Sequence, residues 1–570
     1  MSDKNNIMPK AADANSEISK RQNPAELADM AELKSFYKKN EDFRLVGTNY
    51  HRVDAELKVT GKAKYTGDIT FPDMLHGKFL RSPHPHAKIV SIDISKAEAI
   101  PGVKCVITGA DFKWGKIGNA EFAKVYADKS GLAQEKVRFV GEEVVAVAAV
   151  DENIAAEAVE LIKVEYEPLA PVFDAFDAMN DDAPPIHAPG RNNIGMLSVM
   201  KAGNDVEDAF AKAYYTDNYH YKSQRVTHCA IEPHAAIAKY SIEDDEYTIW
   251  TSTQSAFVTQ FWCANVLGVP ESKVRIVKPY LGGGFGGKLD TWSHEVCAAL
   301  LAKRTGKPVR IVLTREEVFA CSKTRHEIAF DIQSAFSKDG TMLAKKCVHV
   351  LNGGSYGGSG IAACAQSLIW ANLPYKIPAV DIVAKRVYTN NISGGAMRGY
   401  GSCQVHFANE VHMDAVANAM GIDPVDLRRI NGATPNYDSP SGLKITSCAF
   451  KQTLDAAEEA IHWKERKGKL EPNEGVGFAG SGFVSGTGFP ILETPKYTSA
   501  NVLVRLNRYG YGCVYTGSND IGQGSDTVMT LIAAEELGLD MNEMKLVQSD
   551  TSLTPFDSGS YGSRVTFLTG

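Results

Sequence analysis

A chain of 570 residues, 44% hydrophobic and 23% charged, has the composition of a globular enzyme and the length for roughly three or four domains with proper cores. Its net charge of −7 excludes the basic footprint of a nucleic-acid or anionic-membrane binder. The ten cysteines lie far apart with no C-x-x-C pair, which excludes an iron-sulfur or zinc site built from this chain's own thiols and points to reduced side chains in a cytoplasmic protein.

Residues 1–40 are polar, of mixed charge and without an apolar h-region, and read as a solvated extension with one short amphipathic helix near 25–38. No apolar run approaches the roughly eighteen residues of a membrane span. From 41 to 176 short strands mix with helices. "HGKFLRSPHPHAKIVSIDIS" alternates like strands, "VRFVGEEVVAVAAV" reads as a strand pair around Gly141, and "DENIAAEAVELIKVEYEPL" runs from an Asp cap through a helix into a strand. The Pro-, Asp- and Asn-rich stretch 177–193 is a linker. Mixed α+β segments follow at 194–435 and 436–570, with a polar break at "NGATPNYDSPSGLKITS", and the last segment stops inside an apolar stretch, as an incomplete domain would.

Gly-rich loops recur without a fixed period: "GGGFGGK" at 282, "GGSYGGSG" at 353, "GGAMRGYGS" at 394, "GSGFVSGTG" at 480, "GSNDIGQGSD" at 517 and "DSGSYGS" at 557. Several follow strand-like runs, so strands deliver turns whose exposed N–H groups can cradle a phosphate or another anionic cofactor, although the 49 glycines could equally serve ordinary tight turns. The first loop matches two nucleotide patterns. Its P-loop reading fails because Leu289 stands where a magnesium-binding Ser or Thr must follow Lys288. Its dinucleotide reading has a strand, a helix and a second strand, but Glu316 and Glu317, the first candidate ribose ligands, come too late. Gly353-x-Ser355-x-Gly357 fits a nucleophile elbow in form, with no parallel α/β repeat around it. His84, His86, His228 and His234 lack a third metal ligand and read as satisfied polar histidines.

Taken in order, the motifs resemble the molybdopterin-binding large subunit of the xanthine oxidase family over about residues 44–570. "VDAELKVTGKAKYTGDI", "LRSPHPHAKI", "VRFVGEEVVAVAA" and "EAVELIKVEYEPL" are similar to its α/β-hammerhead domain. "HCAIEPHAAIA", "WTSTQSAFVTQ", "GGGFGGK", "AMRGYGSCQ", "DIGQGSDT" and "GSYGSRVT" are similar to its cofactor domains. The resemblance implies an α+β fold, with an N-terminal α/β-hammerhead domain (41–176) followed by mixed α+β molybdopterin-binding domains. It also implies a molybdenum-molybdopterin cofactor, as such or as its cytosine dinucleotide.

By position, the resemblance places Gln254 on an oxo group of the metal centre, Phe285 between Gly284 and Gly286 with its backbone beside the metal, and Arg398 where a fixed guanidinium stabilises developing negative charge. It assigns Gln523, Gly524, Ser560, Gly562 and Ser563 to the pterin, with Gly562 a further metal-site neighbour. Tyr400 becomes an aromatic face for a planar substrate. Purine-oxidising members carry an acid and an arginine where this chain has Leu289 and Gln366, which favours an aromatic, heterocyclic, aldehyde or aryl-CoA substrate, in the manner of the 4-hydroxybenzoyl-CoA reductase and aldehyde oxidoreductase branch.

The implied chemistry transfers oxygen from water to an electron-poor carbon, or removes a hydroxyl, with electrons passing to separate iron-sulfur and FAD subunits in a dimer of heterotrimers. The family's general-base glutamate falls beyond Gly570, so a continuation or a second polypeptide carrying the rest of the molybdopterin domain is expected to supply it. A hydratase sharing the cofactor without net redox change and a non-catalytic scaffold subunit remain as alternatives.

Overall fold

The computed structural model describes residues 43–118, 126–187, 192–486 and 499–570; the amphipathic helix expected near 25–38 lies outside them. Two large sheets organise the described residues. The first has seven strands in the order Val274–Val277, Glu246–Thr251, Ala235–Ser241, Val309–Val312, Leu75–Arg81, Glu143–Ala149, Val103–Thr108. The second carries Ile194–Gly203, Ala379–Tyr388, Met342–Gly354 and Glu327–Phe336 side by side, with Tyr215–Thr216 and Tyr219–Ser223 both paired to the last.

Their strands show the expected two-residue period: Glu246–Thr251 and most of Glu327–Phe336 alternate half-buried and buried residues, because one face packs a core. Beneath the first sheet lie Ala256–Leu267 and Ser293–Thr305, sharing one core with Leu75, Ile249, Ile276 and Ile311. Against the second lie Gly360–Trp370 and Ser402–Met420, around Phe330, Trp370 and Val405. Ser293–Thr305 buries nine of its thirteen residues, so it is a central helix rather than a surface one.

One local reading changes. "HGKFLRSPHPHAKIVSIDIS" does form two strands, Leu75–Arg81 in the seven-stranded sheet and Ala87–Asp93 in a small sheet with Lys136–Val137 and Lys163–Pro168. The halves of "VRFVGEEVVAVAAV", read as a strand pair, do not pair with each other, because Gly141 (φ 99°) is no hairpin turn: its N–H donates to Ser82 O, and a Cβ there would stand 2.7 Å from Ala320 O. Glu143–Ala149 is buried along its whole length between two strands, whereas Lys136–Val137 serves the other sheet.

Candidate functional site

The site is assembled by loops that leave the first sheet. Val274–Val277 delivers the loop 278–290, which runs into the helix Ser293–Thr305. This strand-loop-helix-strand unit is not a dinucleotide fold, since two strands separate Val274–Val277 from Val309–Val312. Ser355 is no nucleophile either: it is fully buried, and among the described residues its Oγ hydrogen-bonds only Ser393 Oγ, at 3.2 Å.

Gln254, 2% exposed, follows the strand Glu246–Thr251 and holds two chain segments at once. Its Oε1 accepts the Gly286 N–H at 2.8 Å and its Nε2 donates to Ser560 O at 2.9 Å. The backbone repeats the link: Gln254 N–H donates to Lys288 O, and Ser560 N–H to Gln254 O, each at 2.8 Å. The approach is too close for side chains. A Cβ on Gly284 would sit 2.5 Å from Gln254 Oε1, and one on Gly559 (φ 116°) would run into Ser255 Oγ and stand 2.6 Å from Gln254 O. Phe285 takes a left-handed φ of 53°, is 42% exposed, and accepts the Arg398 N–H on its carbonyl at 2.8 Å.

Gln254, Gly284, Phe285, Gly286, Arg398 and Ser560 therefore meet directly. Gln523 and Gly524 join through Asn519, a residue the sequence motifs do not single out: Asn519 donates to Gln254 O, accepts from Ser560 Oγ, and accepts from Gln523 Nε2 at 3.2 Å. Gly562 (φ 57°) and Ser563 (φ 53°) form a left-handed turn just past Ser560. Tyr400 turns its hydroxyl back onto Ser359 O. Leu289 is half-buried beside the glycine loop, and its N–H bonds Gly286 O. Gln366 is buried in the helix Gly360–Trp370, and among the described residues its Oε1 has no partner and no polar contact joins it to the cluster.

Two histidines also serve the loops. His228 Nε2 bonds Ala396 O at 2.7 Å and His234 Nε2 bonds Gly287 O at 2.9 Å. Burial pushes the His234 imidazole down to about 3, so it is neutral and holds its carbonyl as an N–H donor. Among the described residues neither Nδ1 has a hydrogen-bond partner. Their motif "HCAIEPHAAIA" is visible in the sequence, but its backbone partners lie far along the chain and carry no sequence signal. In the same motif Glu232 pairs with Lys288 Nζ at 2.8 Å and accepts the Gly282 N–H at 2.8 Å.

The donors left over suit an anionic, phosphate-bearing cofactor. Among the described residues the amides of Gly283, Gly284 and Phe285, of Gln523 and Gly524, and of Gly562 and Ser563 find no acceptor. One N–H of the Gln254 amide is also unused, because Ser560 takes only one. The exposed Arg398 guanidinium makes no hydrogen bond among the described residues. Among the described residues three glycine turns thus keep unpaired backbone donors in the loops that Gln254 and Asn519 tie together, and Gly524 caps the thirteen-residue helix Ser525–Leu537, whose N-terminal end carries positive partial charge. No group of three or more His, Cys, Asp or Glu among the described residues could hold a metal by itself. The protein side of such a centre would be amides and a guanidinium around a metal carried by its own organic ligand.

Comparison with known proteins agrees with this geometry. The aldehyde oxidase and xanthine dehydrogenase a/b hammerhead domain matches residues 60–170, and the molybdopterin cofactor-binding domain matches 186–432 and, in its second form, 456–570. The xanthine dehydrogenase molybdenum-binding subunit of Escherichia coli O157:H7 is 33% identical over 531 residues, spanning 91% of this chain and 69% of that one. The nicotinate dehydrogenase large molybdopterin subunit of Eubacterium barkeri is 36% identical, over 74% of this chain and 97% of that one. Quinoline 2-oxidoreductase from Pseudomonas putida 86 superposes with a TM-score of 0.86 at 29% identity, over 92% of this chain and 69% of that one. The chain belongs to the family of molybdopterin-binding large subunits of xanthine dehydrogenases and aldehyde oxidoreductases.

Proposed function

We propose that this chain is the catalytic subunit of a cytoplasmic, multi-subunit hydroxylase that transfers oxygen from water to an electron-poor carbon of a planar heteroaromatic substrate and passes the electrons to separate iron-sulfur and FAD subunits. The observation that carries this reading is the meeting of three unsatisfied glycine turns at Gln254, with Arg398 fixed to the carbonyl of Phe285. When bound, the molybdopterin centre supplies the two-electron couple and the Lewis acidity of the reaction.

The chain's own residues do the rest. Gly284, Phe285 and Gly562 would bring backbone close to the centre, and the spare Gln254 N–H would orient it. The Arg398 guanidinium stabilises negative charge that grows on the substrate as its carbon is attacked. Tyr400, held through its hydroxyl, offers a ring face to a flat substrate, and Leu289, beside the glycine loop, puts no charge there for a purine to pair with. The free state of the ten cysteines fits a reducing compartment, and relatives named as molybdenum-binding and large molybdopterin subunits support separate electron-carrying partners.

The test is the complex purified under native conditions. Molybdenum near one per chain, a pterin released by acid oxidation, and ¹⁸O from labelled water in the product only when an electron acceptor is present are expected. Absence of molybdenum and pterin overturns the reading, and product formed without an acceptor replaces it with the hydratase.

A further inference from the structure

The loop "GGSYGGSG", whose Ser355 imitates a hydrolase nucleophile, contains the working serine four residues on. Ser359 is 1% exposed and every polar atom it has is committed to the two loops on either side. Its N–H donates to Asp290 Oδ1 at 2.9 Å and its hydroxyl donates to Asp290 Oδ2 at 2.6 Å. The same hydroxyl accepts the Ala396 N–H at 3.0 Å, and its carbonyl accepts the Tyr400 hydroxyl. A hydroxyl has one proton, and here Asp290 takes it, so the lone pairs face Ala396.

Asp290 stands two residues after Lys288, whose carbonyl holds the Gln254 backbone N–H. It is 5% exposed, and Lys323 Nζ pairs with its Oδ2 at 2.8 Å. The glycines around this pair are spaced for Lys323. A Cβ on Gly358 (φ 49°) would run into its ammonium, and one on Gly395 would stand 2.7 Å from its Cδ. The side chain therefore threads between two of the Gly-rich loops to reach the carboxylate of a third.

We propose that Asp290 and Ser359 are positioning residues that set the register of the glycine loop carrying Phe285 against the turn carrying Arg398 and Tyr400. The proposal rests on the functional reading above and deepens it. The path runs Gln254, Lys288, Asp290, Ser359, Ala396; its hydrogen bonds are short, and the two to Asp290 are charge-assisted. The direct link across the site, Arg398 N–H to Phe285 O, is one bond between two left-handed turns and leaves rotation about it open. The second link, through Ser359, closes that freedom, which is what placing a guanidinium against a reacting centre demands.

The experiment compares Ser359→Ala and Ser359→Thr in the intact complex, with molybdenum content, kcat, KM, the line shape of the Mo(V) paramagnetic signal, and hydrogen exchange of peptides spanning 394–401. In Ser359→Ala, kcat is expected to fall about ten-fold at unchanged molybdenum content, because both hydroxyl hydrogen bonds go, the charge-assisted one to Asp290 and the one from the Ala396 N–H. KM should stay within about two-fold, the Mo(V) signal should change shape, and the Ala396 amide should exchange about ten-fold faster, all at an unfolding midpoint close to wild type. Ser359→Thr, which keeps the hydroxyl, should recover most of kcat.

Wild-type turnover in Ser359→Ala, a loss that disappears once normalised to molybdenum, or equal losses in the Ala and Thr variants would overturn the proposal. Asp290→Asn is the second probe; it leaves Lys323 without its counter-charge and so tests stability as well as register. A wild-type complex without molybdenum would sink the functional reading alone, and the exchange rate of the Ala396 amide would then decide whether the clamp exists.

Discussion

Gln254 shows how one side chain can be read from a motif while its task cannot. "STQ" in family order placed it at the metal; the structure adds that its amide is mostly engaged by protein, Oε1 by Gly286 and Nε2 by Ser560, with one N–H to spare. Asn519 and Ser359 do comparable work and carry no such signal, because single polar residues inside Gly-rich stretches are common and their partners lie far away in sequence. Glu295 is another residue whose state only burial reveals. At 1% exposure, with Trp292 N–H on Oε2 at 2.5 Å and Thr251 Oγ1 on Oε1 at 2.9 Å, its carboxyl is pushed up to about 8 by desolvation. Thr251 already has Ala235 O for its own proton at 3.1 Å, so a protonated Glu295 can donate to Thr251. The folded pKa lies above the unfolded value near 4.5, so the stabilising contribution of Glu295 is full below about 4.5 and is lost as pH rises through about 8. Glu295→Gln mimics the neutral acid. Urea denaturation of both forms from pH 5 to pH 9 should show wild type losing a few kcal/mol relative to the variant, since each pH unit crossed between those two values is worth about 1.4 kcal/mol, and parallel curves would contradict a neutral Glu295.

At the scale of elements, what sequence offered was the recurrence of glycine loops after strands, and the structure supplies the reason for their glycines: backbone passes within van der Waals contact of another loop at Gly284, Gly286 and Gly559. Which loops meet was not legible from spacing or periodicity, and came only from the family order of the motifs. The loop 282–288 is also held from below by a buried ion pair. Lys288 is 1% exposed, and burial lowers its ammonium while the Glu232 carboxylate 2.8 Å away supports the charged form. Glu232 keeps 11% exposure and a second partner in the Gly282 N–H, so the two ends are unequal. Removing Glu232 strands a buried ammonium and frees a loop amide, whereas removing Lys288 leaves a carboxylate that still has an N–H donor. Glu232→Ala is therefore expected to cost about 3–5 kcal/mol and Lys288→Met roughly half of that, with the double variant Glu232→Leu/Lys288→Met cheaper than Glu232→Ala alone. Equilibrium denaturation of the three variants gives the order, and a Lys288→Met cost equal to or above that of Glu232→Ala would mean that the pair is not what holds the loop.

For the whole molecule, composition breaks marked out the segments 41–176 and 194–435, while the family domains match 60–170 and 186–432, the second beginning inside the stretch 177–193 that reads as a linker. The seven-stranded sheet nonetheless runs through both: Leu75–Gly77 pairs in parallel with Val309–Ile311, and Leu75, Phe79, Ala146 and Ala148 share one core with Ala236, Ile249, Val296 and Ile311. A sequence pattern cannot announce such a pairing, since a strand's alternation says which face is buried but not which strand lies beside it. Gly77 fits the join, because a Cβ there would press on Ile311 at 2.5 Å. The consequence is energetic. Without residues 44–176 the strand Val309–Val312 becomes a sheet edge with unpaired backbone groups, and the apolar surface under Leu75 and Phe79 opens to water. Expressed alone, 194–435 is expected to aggregate or to unfold without a cooperative transition, and co-expression with 44–176 should restore a soluble, cooperatively unfolding complex. Calorimetry and size-exclusion chromatography distinguish the outcomes: a monomeric 194–435 fragment with a sharp transition of its own would show that the shared sheet adds little, whereas recovery in trans locates the fold's cooperativity in the strand pair that the linker separates.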